Sequence, residues 1–211
     1  MRRLLVCSLA AAFAGLCAAG TALAYEPKKD WPCVQVKVPD LSPGMMWTGP
    51  VLEGAHADYK ANPAALQTAR KLVVRRYTDE EVAAFVKEYA GKLDPASKEL
   101  ELTRLFAAAF DLISSERKQV IAAIERFTRR QRQMADAVRK IRVELDESLK
   151  IADPNDEQMA ARREIEERLA WQTRIFDDRE KSTKYVCEVP TLLEQRLFLI
   201  GRDIAEHLPQ N

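Results

Sequence analysis

The chain has 211 residues, with 33 Lys and Arg against 32 Asp and Glu and a formal net charge of +1. A balance this close to neutral gives no global attraction to nucleic acid or to an anionic membrane surface. The length is enough for one domain with a real core.

Met1-Arg2-Arg3 is followed by an apolar run from Leu4 to about Leu16 and then by Ala22-Leu23-Ala24. A positive start, a short apolar core and a small-residue site form the pattern of a cleaved secretory signal. Residues 1–24 are therefore read as a signal peptide cut after Ala24. The apolar run is short for the roughly 20 residues of a helical span, and no later run reaches that length. The mature chain is expected in the periplasm, with no transmembrane span. Cys7 and Cys17 leave with the signal, and Cys33 and Cys187 remain. An oxidising compartment favours pairing them as a disulfide.

Residues 25–62 hold Pro27, Pro32, Pro39, Pro43 and Pro50, with Gly44, Gly49 and Gly54 between them. No helical period survives that many breakers. Val34, Val36 and Val38 alternate with Gln35 and Lys37, which predicts a short extended run with one apolar face. With Trp31, Met45, Met46 and Trp47 in the same stretch, the segment reads as an arm laid across helices, with Cys33 as its rivet and the tryptophans as anchors.

Asn62-Pro63 predicts a short helix to about Leu72. Leu72-Val73-Val74 offers the alternative of a strand pairing with Val34–Val38. Thr78-Asp79-Glu80-Glu81 is a capping box, and Val82, Phe85, Val86 and Tyr89 give the next helix an apolar face, stopped near Gly91. Asp94-Pro95 is read as the start of a long helix. From Phe106 its apolar positions alternate by four and three through Phe110, Ile113, Arg117, Val120, Ile124, Phe127, Gln131, Met134, Val138, Ile141 and Leu145. This is the spacing of a coiled-coil seam. Asp153-Pro154 repeats the start signal, with Asp153 as cap. The return stretch carries the same spacing from Gln158 through Arg162, Ile165, Leu169, Gln172, Phe176, Arg179, Thr183, Val186, Pro190, Leu193, Leu197 and Ile200 to Ile204. Pro190 inside that run predicts a kink or a break. Folding at residues 153–155 sets Arg126 level with Glu180, Arg130 with Asp177 and Lys181 with Glu125, and Arg142–Glu166 is the pair best placed to touch.

The expected fold is all-α. A long antiparallel, coiled-coil-like helical hairpin spans 95–208, and short helices span 63–92. A Pro-rich arm over 25–62 is clamped to the hairpin through Cys33 and Cys187.

The sequence is poor in catalytic signatures. It has no Gly-x-Ser-x-Gly and no Gly-rich phosphate loop, and His56 and His207 are its only histidines. No cofactor is expected. The leading reading is a non-catalytic periplasmic interaction protein: an adaptor, an assembly factor or a chaperone-like pin. Its partner would be a protein, met through a third helix on the hairpin or by self-association, with the pin free over residues 124–184. A second reading is a small-ligand or metal module built by Trp31, Trp47, Met45, Met46, His56 and Tyr59. A third is binding of lipid or peptidoglycan through the basic face of Arg126, Arg129, Arg130 and Arg139.

Overall fold

The computed structural model describes residues 30–209, so the signal-peptide reading of residues 1–24 lies outside the described residues. The described chain is helical, with no strand: α1 Pro63–Leu72, α2 Asp79–Ala90, α3 Lys98–Leu149 and α4 Asp156–Ala205. Three single 3-10 turns, Pro43–Met45, Gly54–His56 and Tyr59–Ala61, punctuate the arm ahead of α1.

The helix starts follow from side chains that satisfy orphan backbone N–H groups. Asn62 accepts from the N–H groups of Ala64 and Ala65, with Pro63 in the first turn. Thr78 and Glu81 close a complete capping box on α2. Two starts differ from the sequence reading. Asp94 accepts from the Ala96 N–H at 2.8 Å and caps a turn, and α3 begins later, at Lys98. Asn155, not Asp153, caps α4, and it forms its box with Gln158. Gln158 is thereby spent at the cap and is exposed, outside the seam it was assigned to.

α3 has 52 residues and α4 has 50, each roughly 75–80 Å long at 1.5 Å per residue. They pack against each other along their length as an antiparallel hairpin. Every α3 seam position named above, from Phe106 to Leu145, is buried or half-buried. On α4 the same holds for Arg162 through Ile204, except for Arg179, which is exposed. Burial is graded along the pin. Leu102, Leu105, Phe106, Ile113, Leu193, Leu197, Ile200 and Ile204 are fully buried in one core with α1, α2 and Trp47. Beyond Ile124 only Val138 and Ile141 of α3 are buried, and no residue of α4 before Cys187 is. The molecule is thus a packed base carrying a thinner two-helix pin.

Two packed tryptophans and a disulfide anchor the arm to the hairpin. Trp47 stacks on Phe106 with ring centroids 4.4 Å apart, and its indole N–H donates to the Pro50 carbonyl at 2.8 Å. Trp31 packs with Ile121 and Ile124 in a second, smaller cluster. Cys33 is bonded to Cys187 with Cα atoms 5.5 Å apart. Closing a loop of 154 residues stabilises the fold by about 5 kcal/mol in the chain-entropy account.

Three expectations fail here for identifiable reasons. Leu72-Val73-Val74 is no strand: Leu72 ends α1 and Val73 caps it. The arm's valines do not form an inward apolar face. Val34, Val36 and Val38 face solvent, while Gln35 donates to the Cys187 carbonyl and Lys37 pairs with Glu125. Val34 and Gln35 lie in a bend, so the stretch is not a continuous extended run, and polar partners on the hairpin hold it in place. Of the kink or break expected at Pro190, the break does not occur: α4 runs on through it. A proline removes one helical N–H donor and crowds the preceding turn. The carbonyl left without a helical donor is that of Val186; Gln35 of the arm donates to the neighbouring Cys187 carbonyl, and Pro190 itself is buried.

Candidate interaction surface on the hairpin

Side chains flanking a coiled-coil seam form two rows, one on each side of the hairpin. On one side stand Ile121 of α3 and Cys187 and Glu194 of α4. The arm covers this side. Trp31 packs on Ile121, Cys33 is bonded to Cys187, and Arg117 reaches across the seam to Glu194 at 2.6 Å while donating to the Val38 carbonyl at 2.6 Å. Arg117 is 4% exposed, so this seam charge is answered by α4 and the arm within the chain.

The opposite side is marked by the Arg168–Glu144 ion pair between the two helices. Stepping along the same heptad rows, Glu144 leads to Ala137, Arg130 and Ala123 on α3. Arg168 leads to Ile175, Ser182 and Val189 on α4. No arm residue is bonded to this side. Next to the α4 row, at intervals of seven, stand Trp171, Asp178, Tyr185 and Leu192. Trp171 is 61% exposed, Tyr185 71% and Leu192 48%. Ile175 and Val189 are half-buried between them. An amphipathic helix in a two-helix pin needs one apolar stripe, and α4 has a second, about 100° round from the first.

The predicted site residues divide by this geometry. Trp31 and Trp47 are buried and their N–H groups are satisfied within the arm. Met46 packs on the core, whereas Met45 is 73% exposed. The arm residues of the ligand reading do not converge: His56 lies 4.0 Å from Glu99 and Tyr59 donates to Asp111 at 2.9 Å. Among the described residues no three His, Cys, Asp or Glu side chains gather as a metal site needs. No described helix is long and apolar enough to cross a membrane.

The basic run is split between faces. Arg129 and Arg132 both bind Asp30 of the arm, and their guanidinium groups hold its carboxyl below the usual range. Arg139 pairs with Asp136 one turn earlier. Arg126 and Arg130 are exposed and make no ion pair among the described residues, and they lie on the uncovered side. None of the charge pairs expected across the hairpin forms. Glu125 is taken by Lys37 and Lys181 by Asp178, and Arg162 donates to the Ser148 carbonyl. Residues at equal height meet only from the rows flanking the seam, and most of these charges stand on outer rows.

Trp171, Tyr185 and Leu192 do not stand out in the sequence, because they lie off the primary seam. Their own signal was present: Trp, Tyr and Leu recur in one seven-residue row. Compared with protein-family models, curated proteins and solved structures, the chain matches none.

Proposed function

We propose that this is an exported, non-catalytic interaction protein, and that its hairpin is the element that meets a protein partner. The observation that carries the reading is the second apolar stripe of α4. Aromatic and aliphatic side chains exposed in one row, on a rigid helix, are the usual form of a docking surface. The fold supports a pin rather than a pocket, because the arm's tryptophans and the seam's polar groups are spent in holding the hairpin. Export is supported by the N-terminal sequence and by the cysteine pair, which suits an oxidising compartment.

The test is a double substitution, Trp171→Glu with Tyr185→Glu, introduced in the native host. Both positions are exposed, so the melting temperature should change little. Proteins that copurify with the wild-type chain after chemical crosslinking should be lost from the variant. An unchanged set of copurifying proteins contradicts the reading. Osmotic-shock fractionation, with the mass of the released protein, tests export and cleavage after Ala24.

A further inference from the structure

The disulfide joins two unlike backbones. Cys187 lies within α4 and is 8% exposed. Cys33 is half-buried, in a stretch of the arm with neither helix nor strand. Its neighbours Pro32 and Val34 are exposed, and the chain bends at Val34 and Gln35. Among the described residues, no backbone–backbone hydrogen bond involves residues 31–40. Apart from the disulfide, side chains hold this stretch. Trp31 packs on Ile121 and Ile124, and Lys37 pairs with Glu125. Gln35 donates to the Cys187 carbonyl, and Arg117 donates to that of Val38. No residue of 31–40 belongs to the main core around Phe106, Leu193 and Leu197. A segment with few buried apolar contacts and no backbone ladder opens locally, well before the helices that it lies on.

We infer that Cys33 is a site of thiol–disulfide exchange, at which an external dithiol opens the arm while the hairpin stays folded. The attacking group is a thiolate, and access decides which sulfur it reaches. Cys33 is the more accessible of the two, by exposure and by the looseness of its backbone. The thiolate bonds to the Cys33 Sγ as the Cys33–Cys187 bond breaks. The electron pair of that bond leaves on the Cys187 sulfur, which takes up a proton. A monothiol stops there. The Cα atoms of Cys33 and Cys187 are 5.5 Å apart, so Cys187 displaces the monothiol and closes the bond again. In a dithiol the second thiol attacks the first sulfur, closes its own disulfide and releases Cys33 as a thiol. The dithiol is oxidised, and the protein's disulfide is reduced. The arm then has side-chain contacts alone, and surface ion pairs hold little. Its release bares Ile121, Ile124 and the Cys187 thiol on the side of the hairpin that the arm otherwise covers. This inference does not depend on the docking reading of the opposite side.

The purified, oxidised protein is mixed with dithiothreitol at neutral pH, without denaturant. Alkylation and peptide mass follow Cys33 and Cys187, and circular dichroism follows the helices. Trp31 is 7% exposed, so acrylamide quenching, taken as the difference from Trp31→Phe, follows the arm. The expected rate of reduction is proportional to dithiothreitol concentration and about tenfold or more above that of global unfolding. Helix content should be unchanged, and Trp31 should become open to acrylamide. With reduced glutathione and an early acid quench, the mixed disulfide should lie on Cys33. Reduction no faster than global unfolding overturns the inference, because the bond is then reached only in the unfolded chain. So does a glutathione adduct on Cys187, a loss of helix on reduction, or a Trp31 that stays as shielded as in the oxidised protein.

Discussion

The carbonyl oxygen of Met46 lies where a side chain on Gly201 would stand. A Cβ built on Gly201 falls well inside van der Waals contact of that oxygen and 3.1 Å from the Phe106 ring. The 3-10 turn of the arm therefore rests directly on the backbone of α4, and Trp47, the next residue, reaches Phe106 from there. Two effects oppose each other in Gly201→Ala. Helix propensity favours alanine by about 1 kcal/mol, whereas overpacking costs about 1–3 kcal/mol. The obstacle is backbone rather than a flexible chain end, so the steric cost prevails. A lower melting temperature for Gly201→Ala, by a few degrees, is the expected outcome.

Arg117 joins three parts of the molecule. Its guanidinium meets Glu194 and the Val38 carbonyl and also lies 3.4 Å from the Pro39 carbonyl. Truncation leaves a partly buried carboxylate and a carbonyl without their donor. Breaking a buried pair costs about 3–5 kcal/mol, and partial exposure of Glu194 lowers this to about 2–3 kcal/mol for Arg117→Ala. Amide exchange in the arm should speed up along with the loss of stability.

Removing the staple should separate arm from pin. Cys33→Ser with Cys187→Ser is expected to lose up to about 5 kcal/mol, measured by denaturant unfolding. Limited proteolysis should then cut within residues 30–40, while α3 and α4 remain paired through their seam.

Asp203 supplies a pH test. It is 6% exposed, and its Oδ2 has no hydrogen-bond partner. Burial pushes its carboxyl above the usual range, against the pull of the neighbouring Arg202. A raised folded pKa means that ionisation costs stability. The cost is fully present above that raised value and disappears as pH falls below the ordinary 3.8. Asp203→Asn should therefore be more stable than wild type at neutral pH, on the order of 1 kcal/mol. The difference should vanish in acid, as thermal unfolding across pH will show.

Much of the fold is legible in the chain because periodicity reports burial directly. The four-three alternation from Phe106 to Leu145 becomes the α3 seam, and the Thr78–Glu81 box starts α2 as written. Other features depend on tertiary contacts that no local pattern encodes. Val34, Val36 and Val38 alternate like one face of a strand, yet all three face solvent, while Lys37 and Gln35 bond to Glu125 and the Cys187 carbonyl. Pro190 lies buried inside a continuous helix, which its place in the sequence does not decide. Trp171, Tyr185 and Leu192 share a seven-residue row with Asp178, and it is their exposure that marks them.

The most direct test of the account compares the two sides of the hairpin in living cells. A photoreactive residue is placed at Trp171 or Tyr185 on the uncovered side, and at Val34 or Lys37 on the arm-covered side. The account predicts covalent adducts to another protein from Trp171 and Tyr185 and none from the arm positions. Adducts only from the arm positions, or from no position, would contradict it.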